Sequence, residues 1–466
     1  MAWVSAIFVV LALVRLEPCA HGVKRDPTWS LAEVDSDIEH TPRLPPWTSY
    51  FDTMPTLCRK LRVASPCIGI HGSGFAFQEM SVASEYCNVF DLECGYASHL
   101  QKFLEATGAE HIKLNLGTKA GNLLSAPFTA LQLPVDVIIA GPPCPPWSAQ
   151  GKRAGTKDDR ANAFIRVLEW IIYFIRYGGL LMCILENVMG ILHSCGGAEP
   201  AMDKILRILR MFAPEFLWRV DVLCARDYLL PQTRKRVFLR GLRGTLATAV
   251  PAPLPPFGQR HIRDVLGKFP CTPRLSLTMP QQSNVVYYEQ IVGTMFAEGK
   301  LQKTDIVVVS MDRSPGKKYK TMVTINASPT LVTGNRYLFA ISVQCVVEGF
   351  ADEDREVFRF LKETERLALQ GFPPTVAREL GTRTLAVKAA GNAYPPPLII
   401  AAAHPLLQAI ADSTLDLAKW PATSVRLASA GFPQVARLMK ARPKMLKSAR
   451  KPPPRKRKAW SDSDSE

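Results

Sequence analysis

Paired cysteines are missing from this chain. Its eleven cysteines stand singly, with no Cys-x-x-Cys pair. Neither a structural zinc site nor a disulfide framework is indicated, and a reducing compartment is the natural setting. A membrane-length apolar run is missing too. The apolar start, Ala2 to Val14, is too short to span a bilayer. Its length suits a signal-peptide core, with Pro18-Cys-Ala20 as a loose cleavage site, yet no Lys or Arg precedes it. An organellar or secretory route is therefore the alternative to a nuclear one. Acids are scarce: 41 Asp and Glu stand against 57 Lys and Arg, for a net charge of +16. Arg437–Lys458 holds eleven cations and no acid, and the closing Ser461–Glu466 holds three acids. Together these account for half of the net charge and leave the other half on residues 1–436. A basic body is expected of a protein whose partner is a polyanion. Lys451-Pro-Pro-Pro-Arg-Lys-Arg-Lys458 reads as a nuclear import signal for an import receptor.

What is present is an alternation of apolar runs and helical stretches. Strands are expected at Cys67–Ile70, Asn88–Leu92, Val135–Ala140, Leu180–Leu185 and Val237–Leu239. The clearest helix lies between Asp158 and Arg176, capped by Asp158 or Asp159, with Ala161, Phe164, Leu168, Ile171, Ile172 and Ile175 along one face. Alternating elements imply an α/β fold with a mostly parallel, helix-covered sheet. Residues 243–340 break the rhythm, being rich in Pro, Thr and Val, with short strand-like runs at Ile306–Ser310 and Thr321–Ile325.

The chemistry concentrates in a few segments. Ala140-Gly-Pro-Pro-Cys-Pro-Pro-Trp-Ser148 sets Cys144 in a stiff, proline-rich loop directly after an apolar strand. A fixed thiol at a strand's carboxyl end suits a nucleophile, although a buried structural thiol in a tight turn is the plainer alternative. Leu180-Leu-Met-Cys-Ile-Leu-Glu-Asn-Val188 ends a second apolar run with a carboxylate and an amide. Gln232, Arg234 and Arg236 alternate before the next strand, and residues two apart in an extended segment share a face. Further on stand Glu365-Arg-Leu-Ala-Leu-Gln-Gly-Phe-Pro373 and Gly391-Asn-Ala-Tyr-Pro-Pro-Pro-Leu398.

In this order and spacing, over about residues 63–405, these segments resemble the C5-cytosine-specific DNA methyltransferase family. The resemblance implies a Rossmann-like S-adenosylmethionine-dependent sheet with a smaller target-recognition domain. It also implies methyl transfer from S-adenosyl-L-methionine to C5 of a cytosine flipped out of double-stranded DNA. By resemblance Cys144 adds to C6 of the base, Glu186 protonates N3 and Arg236 donates to O2. Arg234 and Gln232 organise the wall, and Asn187 shapes the cytosine-side loop. Burial behind an apolar strand is expected to raise the pKa of Glu186. Pro142 and Asn392 belong to the cofactor side.

That side departs from the family pattern. Ile68-Gly-Ile-His-Gly-Ser-Gly-Phe75 keeps Gly72 and Gly74 for the cofactor turn, but lacks the usual aspartate, phenylalanine and last glycine. Asp91, with Glu93 second, is the candidate for the ribose hydroxyls, and Asn122 stands where an aspartate reads adenine. The implied layout is a leader or linker over 1–60 and a catalytic domain over 61–242. A target-recognition region over 243–340 follows, holding Lys300, Lys303, Arg313, Lys317, Lys318 and Lys320 for phosphate contacts. Residues 341–405 return to the catalytic domain, and a disordered basic tail occupies 406–466. A monomer is expected, without metal or stable membrane insertion. Two other readings stay open. A tRNA-acting branch of the family carries a Cys-Phe-Thr tripeptide, absent here. An inactive, DNA-binding derivative is suggested by the altered cofactor turn.

Overall fold

The structure is a computed structural model. It describes residues 30–106, 114–144, 146–148, 158–194, 199–267, 277–311, 323–334, 337–348, 358–421 and 431–441. Eight strands come first: β1 (Leu61–Pro66), β2 (Ser84–Asp91), β3 (Leu114–Leu116), β4 (Val137–Ala140), β5 (Met182–Val188), β6 (Phe216–Cys224), β7 (Gln232–Thr233) and β8 (Lys235–Arg243). Seven of them form one sheet in the order β3-β2-β1-β4-β5-β8-β6. The first five are parallel, while β8 runs antiparallel to both β5 and β6. Strand order reverses between β1 and β4. A crevice opens at such a reversal, outside the carboxyl ends of the strands.

Side-chain alternation along the strands feeds two separate apolar layers. Val63, Ile139 and Ile184 pack on one face with Ala76 and Phe77 of helix Gly72–Glu79 and with helix Pro396–Ala411. Ala64, Ile138, Cys183 and Leu185 pack on the other with helices Ala161–Tyr173, Ala201–Phe212 and Pro433–Lys440. Asp136 pins the start of β4. Its buried carboxylate takes paired hydrogen bonds from Arg59 and Arg62, at 2.7 to 2.9 Å.

Several expectations need correction. The first strand is Leu61–Pro66, and Cys67–Ile70 is the turn that follows, with Cys67 and Gly69 in the left-handed region. The turn is apolar because it is buried, which mimics a strand in sequence. The helix expected from Asp158 starts at Ala161 without a side-chain cap. The Asp158 carboxylate instead holds the Arg160 backbone N–H and guanidinium.

Residues 30–60 are not merely linker. Helix Leu31–His40 has a Ser30/Glu33 capping box and docks through Asp37 to Lys362, Asp35 to Arg378 and Thr41 to Thr364. Nor does a disordered tail begin at 406. Leu406, Leu407 and Leu417 are in the core, and Val435 and Met439 bury the face of helix Pro433–Lys440. The leader before residue 30 and the basic run after 441 lie outside the described residues.

The smaller domain pairs β9 (Ile306–Ser310), β10 (Thr324–Ile325), β12 (Leu338–Ser342) and β13 (Phe358–Phe360) in the order β10-β9-β12-β13, backed by helix Met279–Ala297. The short β11 (Ser328–Pro329) leaves it to pair with β7. Of the expected strand Thr321–Ile325, residues 321–322 lie outside the described residues, as do Arg313, Lys317, Lys318 and Lys320. A buried fork joins the domains. Arg359 on β13 bonds both oxygens of Glu365, at 2.9 and 2.7 Å, and Glu365 Oε1 also accepts the Gly267 N–H.

Candidate active site

Strand geometry brings the thiol, the carboxylate and a guanidinium to one end of the sheet. Cys144 lies four residues past β4, in a loop turned by a Trp147 N–H to Cys144 carbonyl bond of 3.0 Å. Two contacts lock that loop to the end of β5. Asn187 donates to the Pro142 carbonyl at 3.2 Å. Gly190 lies so close that a Cβ there would sit 1.8 Å from the Trp147 carbonyl oxygen. Trp147 is buried edge-on against Phe164.

Glu186 and Asn187 are consecutive on β5 and so face opposite ways. Asn187 serves the loop, and Glu186 turns to β8. Val188 pairs with Arg236 in the antiparallel register, which makes Arg236 the diagonal neighbour of Glu186. Arg236 Nε stands 2.8 Å from Glu186 Oε1. Its N–H is not aimed at that oxygen, which accepts no aligned hydrogen bond despite full burial. The contact is a close ion pair with a free lone pair. The sequence placed Glu186 in an apolar setting, and the antiparallel partner supplies a cation that this reading omitted.

Cys144 feels the same charges. Burial pushes its thiol up and Glu186 adds to the rise, while Arg236 and Arg234 pull it down. Gln232 and Arg234 do not reach into the opening. Both are buried. Gln232 donates to the Leu369 carbonyl and accepts from the Leu331 N–H. Arg234 donates to the carbonyls of Leu331, Gly391 and Ala393. Burial, and then Arg236, push its guanidinium pKa down. These two side chains fasten the small-domain junction and the 391–393 segment behind the site, while Arg236 faces it.

The other half of the crevice is built from the turn after β1. The residue that makes this turn is Gly69, with φ +57, its N–H on Asp91 Oδ2 at 2.8 Å. The other carboxylate oxygen takes the Glu93 N–H at 2.8 Å. Gly72 and Gly74 sit inside the following helix. A Cβ on Gly72 would meet the Tyr394 carbonyl, and one on Gly74 the His71 ring. Glu93 pairs with Lys388.

Gly121, the residue before Asn122, abuts the end of β2, where a Cβ would fall 1.8 Å from the Asp91 carbonyl oxygen. Asn122 Oδ1 already accepts the Leu124 N–H at 3.0 Å. Leu92 and Leu124 have 56% and 43% of their surface exposed. Asn392 ends helix Arg383–Asn392 beside Tyr96. Among the described residues no group of three His, Cys, Asp or Glu side chains could hold a metal. No described helix is long and apolar enough to cross a membrane.

A model of the C-5 cytosine-specific DNA methylase family matches residues 81–408. The chain belongs to this family. Among similar methylases are the Type II methyltransferase M.MthTI of Methanothermobacter thermautotrophicus, 31% identical over 134 residues, and M.AquIA of Picosynechococcus, 33% identical over 141. These alignments take in 28% and 29% of this chain but only 38% and 55% of the two relatives. The chain thus spans between about a third and about a half of the curated relatives it matches. The Entamoeba histolytica methyltransferase EhMeth superposes with a TM-score of 0.49 at 14% identity, covering 76% of this chain and 99% of that chain.

Proposed function

We propose that this methylase transfers a methyl group from S-adenosylmethionine to C5 of a cytosine extruded from duplex DNA. The observation that carries the reading is the convergence of Cys144, Glu186 and Arg236 at the carboxyl ends of β4 and β5 and the adjoining amino end of the antiparallel β8. Cytosine C5 is a weak nucleophile until a thiolate adds to C6. Cys144 forms that bond, and electron density moves through the ring to N3. Glu186 in its acid form delivers a proton there, and Arg236 donates to O2. Once C5 carries the methyl group, a base takes the C5 proton and the C–H electrons reform the double bond, expelling the Cys144 thiolate. Such a site works only on a base outside the stack.

The crevice fits a nucleoside cofactor. Each Asp91 oxygen accepts one backbone N–H and keeps a lone pair for a ribose hydroxyl. Leu92, next to Asp91, and Leu124, two residues past Asn122, expose apolar surface that suits the face of a base. S-Adenosylmethionine held there supplies an electrophilic methyl group. The family resemblance assigns Pro142 and Asn392 to the same cofactor side. The basic segment Lys451–Lys458 supports a nuclear location, and with it a role in epigenetic DNA methylation.

Duplex DNA bearing 5-fluorocytosine tests the reading, because fluorine blocks the final elimination. Wild type with cofactor should be trapped covalently through Cys144, and Cys144→Ser should not. Sustained turnover by the serine variant would sink the assignment.

A further inference from the structure

Tyr394 lies at the reversal point of the sheet, between the turn after β1 and the loop after β4. Its ring is held at both edges by glycines. A Cβ on Gly141, three residues before Cys144, would come within 2.9 Å of Tyr394 Cδ1 and 3.7 Å of Glu186 Oε2. A Cβ on Gly72 would come within 3.0 Å of Cδ2 on the opposite edge and 2.3 Å of the Tyr394 carbonyl. The phenol donates to the Ile68 carbonyl in the cofactor-side turn at 3.4 Å. Ser65 and Ser73 stand beside that hydroxyl, and Ser65 itself donates to the Ile139 carbonyl of β4 at 3.2 Å. The residue before Tyr394 is held in turn, because Arg234 donates to the Ala393 carbonyl at 2.7 Å.

One rigid ring therefore touches both halves of the crevice and hangs from Arg234, whose guanidinium lies 4.0 Å from Glu186 Oε1. We propose that Tyr394 is a positioning residue, a wedge that sets the separation between the cofactor-side turn and the nucleophile loop and so fixes Cys144 against Glu186. The proposal rests on the reading of Cys144 as the nucleophile. A filler of the core would need only volume. A wedge needs the ring's width at this place, and the two facing glycines show that the backbone on either side has been brought against it.

The charged groups around Cys144 are Glu186, Arg236, Arg234 and Arg160. The titratable groups around the Tyr394 hydroxyl are Cys67, Asp91 and Tyr86. A shift of the loop changes the first set of distances and hence the thiol's titration.

The test compares Tyr394→Phe, Tyr394→Val, Gly141→Ala and the double variant Gly141→Ala/Tyr394→Val. Iodoacetamide is the probe, the Cys144 peptide is quantified by mass spectrometry, and neither cofactor nor DNA is added. Tyr394→Phe should keep the wild-type pH midpoint of alkylation. Tyr394→Val should move it by about half a unit or more, roughly a threefold change in thiolate fraction.

In methyl-transfer assays kcat of Tyr394→Val should fall far more than either KM changes, by about 10²-fold, the size expected of a ~1 Å displacement. Gly141→Ala should reproduce the loss by pushing the ring. The double variant should regain kcat relative to Gly141→Ala, since the added methyl then fills vacated space. Superimposable alkylation profiles for wild type and Tyr394→Val would overturn the wedge. So would a double variant no better than Gly141→Ala. If Tyr394→Val does not fold, Gly141→Ala and the double variant carry the alkylation comparison. Should wild type transfer no methyl at all, the functional reading fails, while the alkylation midpoints still decide the wedge.

Discussion

Replacing Glu186 by Gln should move two properties of Cys144 chemistry in opposite directions. The carboxylate raises the thiol's pKa in the free enzyme, second only to burial, while Arg236 and Arg234 lower it. Removing that negative charge therefore favours the thiolate. For two charges ~6 Å apart at an effective dielectric of ~20, Coulomb's law gives about 3 kcal/mol, or about two pKa units, as an upper bound. The Arg236 guanidinium 2.8 Å from Glu186 already cancels much of this field, and the thiol is partly exposed, so about one unit is the reasonable expectation. A drop of one unit raises the thiolate fraction about tenfold below the midpoint. A less basic thiolate is also less nucleophilic, which returns about a factor of three.

Alkylation of Cys144 at neutral pH should thus run about threefold faster in Glu186→Gln, whereas methyl transfer should fall by about 10²–10⁴ for loss of the acid at N3. Arg236→Gln should slow alkylation instead. Iodoacetamide labelling read on the Cys144 peptide is required, because ten other cysteines compete. Slower alkylation in Glu186→Gln would refute the reasoning, since the carboxylate would then be activating the thiol as a base. A loss confined to substrate affinity would make Glu186 structural.

Three further outcomes follow from other parts of the molecule. Asn122→Asp should tighten S-adenosylmethionine binding by up to roughly tenfold in calorimetry, because charged acceptors are worth about 1–1.5 kcal/mol more than neutral ones. Unchanged affinity would place the adenine contact elsewhere. Arg359→Leu should lower stability to urea by about 3–5 kcal/mol by leaving Glu365 buried and unpaired, and adding Glu365→Leu should recover most of it. Burial pushes His71 down to about 3, from its ordinary 6.5. Below pH ~6.5 the unfolded chain takes up a proton that the native state refuses, so this group costs stability at about 1.4 kcal/mol per pH unit as pH falls toward 3. His71→Phe should flatten that part of the urea-midpoint profile, and an unaltered slope would show His71 protonated in the fold.

The parallel sheet was legible because β4 and β5 are buried on both faces and read as continuous apolar runs, Val137-Ile-Ile-Ala140 and Met182-Cys-Ile-Leu185. β1 was not, because Arg62 interrupts its apolar pattern to reach Asp136, and the apolar residues continue past Pro66 into the turn. Helix Leu31–His40 was announced by Ser30-Leu-Ala-Glu33, a capping box in plain sight. The segment after 405 was hidden by its nearness to the basic run, although Leu406, Leu407 and Ile410 already follow helical spacing.

At the site, residue identities were readable and their partners were not. Nothing in Gln-Thr-Arg-Lys-Arg says that Arg234 turns to the carbonyls of 391 and 393 while Arg236 meets Glu186. That division depends on the antiparallel register of β5 and β8, a long-range pairing with no local signature.

The same distinction bears on the altered cofactor turn. His71 and Ser73 belong to the stretch that breaks the family pattern, and both side chains are wholly buried. His71, left-handed at φ +65, packs edge-on to Tyr86 and Phe103 beneath the helix. Under the proposed reading the groups toward the cofactor are others: the Asp91 carboxylate, the exposed Leu92 and Leu124 side chains and Asn122. A left-handed residue other than glycine costs roughly 1–2 kcal/mol, and the buried aromatic contacts of His71 offset a cost of that size at about 0.5–1.5 kcal/mol each. The departures therefore change what supports the turn from behind, where packing can compensate, rather than what lines the cleft in front. A sequence pattern cannot separate the two, because both faces of a tight turn are written in the same few residues.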